Sequence, residues 1–199
     1  IYTLSLHDAL PISMRSLVAF AEDADVENVD AGNTVRAMTD LARESSQVDA
    51  LHGGLPDFPR SFTGKGVLIG VIDTGFDFMH PAFRDAEGNS RIIHVWDQSG
   101  RNGNTPSMGY GVVFDTPELI RSAAHDVSRD THGTHVAAIA ASSADVYKGM
   151  APESDIVVVA TDKSESGIID ALAYLLDYAE KEKKPIAINL SMGTVIGFK

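Results

Sequence analysis

The chain has 199 residues, 44% of them hydrophobic, and a formal net charge of −12. That length and composition suffice for one globular domain with a sizeable core, and they argue against a disordered chain. The acidic balance argues against nucleic-acid binding and anionic membranes, the absence of cysteine excludes disulfides, and no apolar run approaches the roughly 18 residues of a membrane span.

The first segments of the chain carry little information about a fold. Residues 1–13 resemble the translation of a common sequencing adaptor, and we therefore expect them to be an artefact and exclude them from fold reasoning. Residues 14–45 follow, and they include an acid-rich run between positions 22 and 30. Such a run is typical of a solvated surface.

The first strand of a core is predicted over 66–73, where the sequence is almost continuously apolar. This pattern is typical of a central parallel strand that is covered on both faces. Short strands are predicted over 91–96 and 111–114. The series Thr116, Pro117 and Glu118 then predicts a short helix, because it places a cap, a proline and an acid in the favoured order.

The second half of the chain alternates helices with strands. A helix of small residues is predicted over 133–143, a buried strand over 155–160, an amphipathic helix over 167–183 and a strand over 186–191. This alternation indicates an α/β fold with a mostly parallel sheet. We expect a three-layer α/β/α arrangement.

Polar residues that could take part in catalysis lie where these elements end. Asp73 and Ser191 fall at the carboxyl ends of predicted strands, where sites form in open α/β sheets, and His132 falls at a helix N-terminus. An aspartate that orients a histidine supplies two of the three members of a serine-hydrolase triad. Because the two residues are 59 positions apart in the sequence, only a tertiary fold could bring them together.

The chain carries five motifs in series: Gly-Val-Ile-Asp-Thr-Gly-Phe-Asp at 70–77, His-Pro at 80–81, His-Gly-Thr-His-Val-Ala at 132–137, Gly-Met-Ala-Pro at 149–152 and Asn-Leu-Ser-Met-Gly at 189–193. Together and in this order they resemble the subtilisin-like serine peptidases. The long gap between the motif aspartate and histidine, with the run at 91–98, resembles a bacterial branch of that family with an insertion there.

The resemblance implies a serine endopeptidase that hydrolyses peptide bonds of a polypeptide substrate through an acyl-enzyme. Asp73 would be the acid of the triad and His132 the general base. It also implies two segments that bind the substrate: Ser191, Met192 and Gly193 on one side, and Ser166 and Gly167 on the opposite edge.

The resemblance also bears on the limits of the domain. It implies that 14–45 holds the end of an inhibitory prosegment and the start of the mature enzyme, and that 46–199 is the N-terminal part of the peptidase domain. The nucleophile motif Gly-Thr-Ser-Met-Ala and the oxyanion asparagine are absent from the sequence. We therefore expect a chain that is incomplete at its C-terminus and inactive by itself. The resemblance alone implies a secreted or cell-envelope protein.

The chemistry itself needs no cofactor. Calcium is implied by the resemblance, since many relatives carry a calcium-binding aspartate after the His-Pro motif. Ala82 occupies that position in this chain, which weakens the case for a calcium site.

The same residues allow other interpretations. His135 could pair with His132 as metal ligands, but no acidic or third ligand is attached, so we expect a packed structural histidine. Ser191 lacks the nucleophile elbow that a reactive serine would need. Asp73 also begins an Asp-Thr-Gly triplet of the aspartic-protease kind, but that β-rich fold pairs two such triplets. A non-catalytic relative that binds peptides or partner proteins remains the alternative function.

Overall fold

The structure is a computed structural model that describes residues 43–54, 60–128 and 130–192. The adaptor-like segment and nearly all of the 14–45 segment lie outside these residues, as does Gly193. The domain boundaries drawn from the sequence therefore stay predictions.

Within the described residues, five strands form one sheet. They are Leu68–Asp73 (β1), Ile92–Asp97 (β2), Val112–Phe114 (β3), Asp155–Ala160 (β4) and Ile186–Leu190 (β5). Their order across the sheet is β3-β2-β4-β1-β5, and only the pairing of β2 with β3 is antiparallel. The predicted mostly parallel sheet is confirmed.

The described residues also contain four α-helices and one short 3₁₀ turn. The helices are Val48–Gly53 (α1), Pro117–Ala123 (α2), His132–Ala141 (α3) and Glu165–Glu182 (α4), and the 3₁₀ turn is Pro81–Phe83. None of these helices combines the length and the apolar character that crossing a bilayer would require.

Two apolar layers cover the opposite faces of the sheet. Val71 of β1 shares one layer with Ile120 of α2 and Val136 of α3. The next residue of the strand, Ile72, shares the other layer with Leu175 of α4. Because neighbouring side chains of a strand point to opposite faces, the helices lie on both sides. The predicted three-layer α/β/α architecture is confirmed.

The unbroken apolar sequence of β1 accounts for its interior position in the sheet. The strand pairs with β4 on one side and β5 on the other, and this register places Asp73 beside Ala160. Gly70 allows α4 to approach, since a Cβ there would lie only 2.9 Å from Cδ1 of Leu175. The carboxyl end of β1 therefore lies between two neighbouring strands at the edge where parallel sheets form their sites.

Arg91, which the sequence did not single out, joins three segments of the fold. Its guanidinium donates to the carbonyl of Ser154 at 2.8 Å and to that of Ala82 at 3.3 Å. It also donates to the carbonyl of Ala141, the last residue of α3. Burial lowers the pKa of Arg91. This side chain anchors the end of α3 that is distant from His132.

Several boundaries differ from the predicted ones by one or two residues, and two of these differences have clear local reasons. β1 begins at Leu68 rather than 66, because Gly66 adopts a φ of +82° in the preceding turn. Helix α4 begins at Glu165 rather than 167, because Oγ of Ser164 accepts the N–H of Gly167 and so caps the helix earlier.

Candidate active site

Asp73 and His132 form a hydrogen-bonded pair at the carboxyl end of β1. Nδ1 of His132 lies 2.9 Å from Oδ1 and 3.0 Å from Oδ2 of Asp73, and Oδ1 also accepts the N–H of Thr74 at 2.7 Å. The aspartate side chain is 3% exposed and the imidazole 51%. Because a carboxylate only accepts hydrogen bonds, Nδ1 carries the proton, and Nε2 of the neutral ring remains an acceptor.

Backbone hydrogen bonds attach the first turn of α3 to the turn that follows the aspartate. The N–H of Gly133 donates to the carbonyl of Thr74 at 2.7 Å, and the N–H of Thr134 donates to that of Gly75 at 3.0 Å. The first N–H groups of a helix have no partner within it, so these two carbonyls cap α3. The position of His132 is therefore set by the backbone as well as by its imidazole.

Gly133 permits this close approach. A Cβ at this residue would lie 2.8 Å from the carbonyl oxygen of Thr74 and 2.8 Å from the ring of Phe76. Contacts this short are not found for real side chains, so any larger residue would push the helix away from the turn. The small residue after His132 is a requirement of the geometry.

The Asp73–His132 pair borders an open cleft of about 670 Å³. The residues lining this cleft come from the ends of β1 and β5, the start of α3 and the segment around the start of α4: Asp73, Thr74, Asp130, His132, Lys163, Glu165, Ile168, Leu190, Ser191 and Met192. At the rim, the N–H of Thr131 donates to Asp130 at 2.7 Å and lowers the pKa of that carboxyl. The walls of the cleft mix apolar and charged groups.

The structure places Ser191 and Met192 in the cleft, directly after β5. Oγ of Ser191 accepts a hydrogen bond from the amide of Asn189 at 2.9 Å. In the described part of the chain, no hydroxyl group is hydrogen-bonded to Nε2 of His132. Gly193, the third predicted member of this substrate segment, lies outside the described residues, and the substrate role of the segment stays a prediction.

Ser166 and Gly167, the predicted opposite edge, lie in the first turn of α4 rather than in an extended segment. The N–H of Gly167 donates to Oγ of Ser164 at 2.9 Å, and its carbonyl accepts from Gln98 at 2.7 Å. Both backbone groups of Gly167 thus have partners within the protein, and the substrate role of Ser166 and Gly167 stays a prediction. Lys163 also lines the cleft from this side of the site.

His135 is not the packed residue that was expected from the sequence, because its side chain is exposed. The buried face of α3 consists of Gly133, Val136, Ala137 and Ala141. His135 lies one turn after His132 on the solvent side of the helix, and helical periodicity therefore keeps it out of the core.

Two buried aspartates near the pair were not predicted from the sequence. Asp126 accepts the N–H of Gly75 at 2.9 Å and that of Phe76 at 3.1 Å. Asp97, at the end of β2, accepts the N–H of Ser99 at 3.0 Å. Burial raises the pKa of both carboxyls. No motif marks Asp126, because its partners Gly75 and Phe76 lie about fifty positions away in the sequence.

The position after the His-Pro motif does not fit a calcium ion. Ala82 is buried and has no side-chain oxygen, and its N–H donates to Nδ1 of His80 at 3.2 Å. Among the described residues, no group of three histidine, aspartate or glutamate side chains could hold a metal ion.

Comparisons with known proteins agree with this geometry. The sequence profile of the subtilase family matches residues 64–198. Serine protease AprX of Bacillus subtilis is 29% identical over 198 residues, which cover 94% of this chain and 37% of AprX. Subtilisin-like protease PopC of Myxococcus xanthus is 31% identical over 139 residues, which cover 65% of this chain and 25% of PopC.

A solved structure supports the same relationship. The CspB protease of Clostridium perfringens superposes with a TM-score of 0.57 and 32% sequence identity, over 68% of this chain and 30% of that one. The chain thus spans about 25–37% of the length of these three proteins. The matched profile, the fold and the Asp73–His132 pair together lead to one conclusion: the chain belongs to the subtilase family.

Proposed function

We propose that this protein is a serine endopeptidase that hydrolyses polypeptide substrates through an acyl-enzyme. The observation that carries the proposal is the hydrogen-bonded pair of a buried Asp73 and a half-exposed His132 at an open cleft. This is the arrangement that a general base and its orienting acid require. Membership of the subtilase family supports the same reaction.

In the proposed mechanism, each group of the pair has a step. A serine hydroxyl would attack the substrate carbonyl carbon while its proton passes to Nε2 of His132. The imidazolium would then give that proton to the leaving amine, and water would release the acyl group by the same route. Asp73 accepts from Nδ1 throughout, and its burial strengthens the attraction to the imidazolium, because the local dielectric is low.

The serine that His132 would deprotonate is not among the described residues with a hydrogen bond to the imidazole. Ser191 and Met192 lie at the cleft, where an extended substrate could pair with their backbone. Support for this role comes from the family resemblance and from their position. An inhibitory prosegment within 14–45 and export to the cell exterior or envelope belong to the same proposal, on the resemblance alone.

Three substitutions in the complete protein test the proposal. We expect His132→Ala to lower kcat about 10⁶-fold and Asp73→Asn about 10⁴-fold, the losses known for such residues in serine peptidases. His135→Ala is the matched control, because it removes an exposed histidine one turn further along the same helix. Hydrolysis of a casein-derived fluorogenic peptide and labelling by a serine-directed fluorophosphonate are the measurements.

Two results would overturn the proposal. One is full activity in His132→Ala, which would remove the general base from the mechanism. The other is a complete protein that binds peptides but neither cleaves them nor reacts with fluorophosphonate, which would favour the non-catalytic alternative.

A further inference from the structure

The turn after β1 is held from two sides, and the pair depends on both. On one side, the carbonyls of Thr74 and Gly75 cap the first turn of α3, which begins with His132. Oγ1 of Thr134 adds a third bond, donating to the carbonyl of Gly75 at 2.9 Å. A rotation of this turn would therefore move the start of α3 relative to Asp73.

On the other side, the N–H groups of the same turn point to Asp126. Oδ2 of Asp126 accepts the N–H of Gly75 at 2.9 Å, and Oδ1 accepts that of Phe76 at 3.1 Å. The residue is only 3% exposed. Both oxygens are engaged with backbone, which leaves the turn little freedom to rotate, since a buried N–H without a partner costs about 1–3 kcal/mol.

Asp126 is itself fixed by a short stretch of paired backbone. The N–H of Phe78 donates to the carbonyl of Ala124 at 2.8 Å, and the N–H of Asp126 donates to the carbonyl of Phe76 at 3.3 Å. Ala124 has a φ of +62° and a ψ of −39°, a strained conformation for a residue with a Cβ. Oδ2 of Asp97 accepts the N–H of Val127 at 3.3 Å. Strain of this kind persists where surrounding contacts over-determine it.

We propose that Asp126 is a positioning residue for the Asp73–His132 pair: it holds the turn after β1 so that its carbonyls keep α3 in register with the aspartate. The inference rests on the proposed function only in calling the pair catalytic. Asp126 touches neither the imidazole nor the carboxylate of the pair. It acts through its hydrogen bonds to Gly75 and Phe76. Replacing a residue with a purely structural role would lower stability without changing the geometry of the Asp73–His132 hydrogen bond.

The spectroscopic test uses the 199-residue chain and the proton on Nδ1 of His132, whose hydrogen bond to a carboxylate gives a far-downfield NMR resonance. We expect Asp126→Asn to lose or broaden this resonance, because an amide oxygen can accept only one of the two N–H groups and its NH₂ opposes the other. Asp155→Asn is the matched control, since it breaks the 2.6 Å ion pair with Lys184 at the opposite end of β4. The resonance should persist in Asp155→Asn. Its loss in Asp73→Asn would assign it to the Nδ1 proton of His132.

The functional test uses the complete protein. A displacement of about 1 Å can cost roughly 10²-fold in rate, so Asp126→Asn should lower kcat by about that factor and leave KM nearly unchanged. Asp126→Glu, which keeps a carboxylate, should recover part of kcat. An unchanged resonance and unchanged kcat in Asp126→Asn, with only a lower melting temperature, would overturn the proposal and leave Asp126 a structural residue.

Two features keep the test decisive. If Asp126→Asn does not fold, amide exchange in the unmodified chain still answers: the N–H groups of Gly75 and Phe76 should exchange as slowly as those of β1, and exchange at the rate of exposed loops would overturn the proposal. The NMR result is also independent of peptidase activity. A protein that proves inactive but shows the expected resonance changes would refute the proposed function and support the role of Asp126.

Discussion

Gly133 sets the distance between the helix that carries His132 and the turn that follows Asp73. Its N–H donates to the carbonyl of Thr74, and the space where a Cβ would stand is filled by that carbonyl and by the ring of Phe76. One hydrogen atom in place of a side chain therefore determines whether the imidazole reaches the carboxylate.

This closeness makes a prediction about Gly133→Ala. We expect the free energy of unfolding to fall by about 1–3 kcal/mol through overpacking, and alanine's better helix propensity, worth up to about 1 kcal/mol, offsets only part of it. Gly53→Ala is the matched control, because Gly53 is also helical and, among the described residues outside its own helix turn, no heavy atom lies within 4 Å of the position that a Cβ would take there. Urea denaturation of both variants measures the difference, and equal stability of the two would contradict the crowding.

Helix α4 shows how the ends of an element are determined by a few residues. Its first turn is capped by Ser164, and its last turn closes at Lys183, which adopts the left-handed conformation with φ 54° and ψ 38°. The N–H of Lys184 then donates to the carbonyl of Ala179 at 3.1 Å. A lysine in this conformation is strained, because glycine is the residue that ordinarily ends a helix in this way.

A pair of glycine substitutions tests this helix end. Lys183→Gly should raise the free energy of unfolding by about 0.5–1 kcal/mol, because glycine adopts positive φ without strain. Lys181→Gly removes the same charge two residues earlier, inside the last helical turn. This substitution should lower the free energy of unfolding by about 1 kcal/mol. Thermal unfolding followed by circular dichroism compares the two. Changes of the same sign would show that the end of α4 is not where the structure places it.

Taken over the whole molecule, contacts within a segment were predictable from sequence, and contacts between distant segments were predictable only where a motif marked both partners. The strand Asp155–Ala160 has the predicted bounds, because its apolar run alone determines them. The pairing of Asp73 with His132 was predicted from the two motifs that contain them. The contact of Asp126 with the turn after β1 joins residues about fifty positions apart, and neither composition nor periodicity reports such a contact. The exposure of His135, by contrast, follows from the periodicity of α3.

A buried histidine gives the molecule a dependence of stability on pH. His94 of β2 is 7% exposed, and its Nε2 is hydrogen-bonded to the hydroxyl of Tyr174 at 2.7 Å. Burial lowers the pKa of His94 from 6.5 to about 4. Between these values the unfolded chain binds a proton that the folded chain excludes, so the free energy of unfolding falls as pH drops from about 6.5 and levels off near 4, by at most about 3 kcal/mol.

Denaturation in urea between pH 7.5 and 4.5 measures this dependence. His94→Gln serves as the control, because it keeps a hydrogen-bonding group near Tyr174 but cannot be protonated. The wild-type chain should lose more stability than His94→Gln over this range. Parallel profiles would mean that His94 does not carry the effect.

The place of β1 between β4 and β5 has a consequence for how the protein is made. β1 leaves the ribosome roughly 80 residues before β4, its first partner in the sheet, and at about 5–20 residues per second that delay lasts roughly 4–16 s. During this delay β1, an almost wholly apolar segment that ends in Asp73, can pair with neither β4 nor β5. During this delay the nascent chain that contains Asp73 is therefore vulnerable to aggregation. Slowing translation before β4 should lengthen the delay and reduce the yield of folded protein.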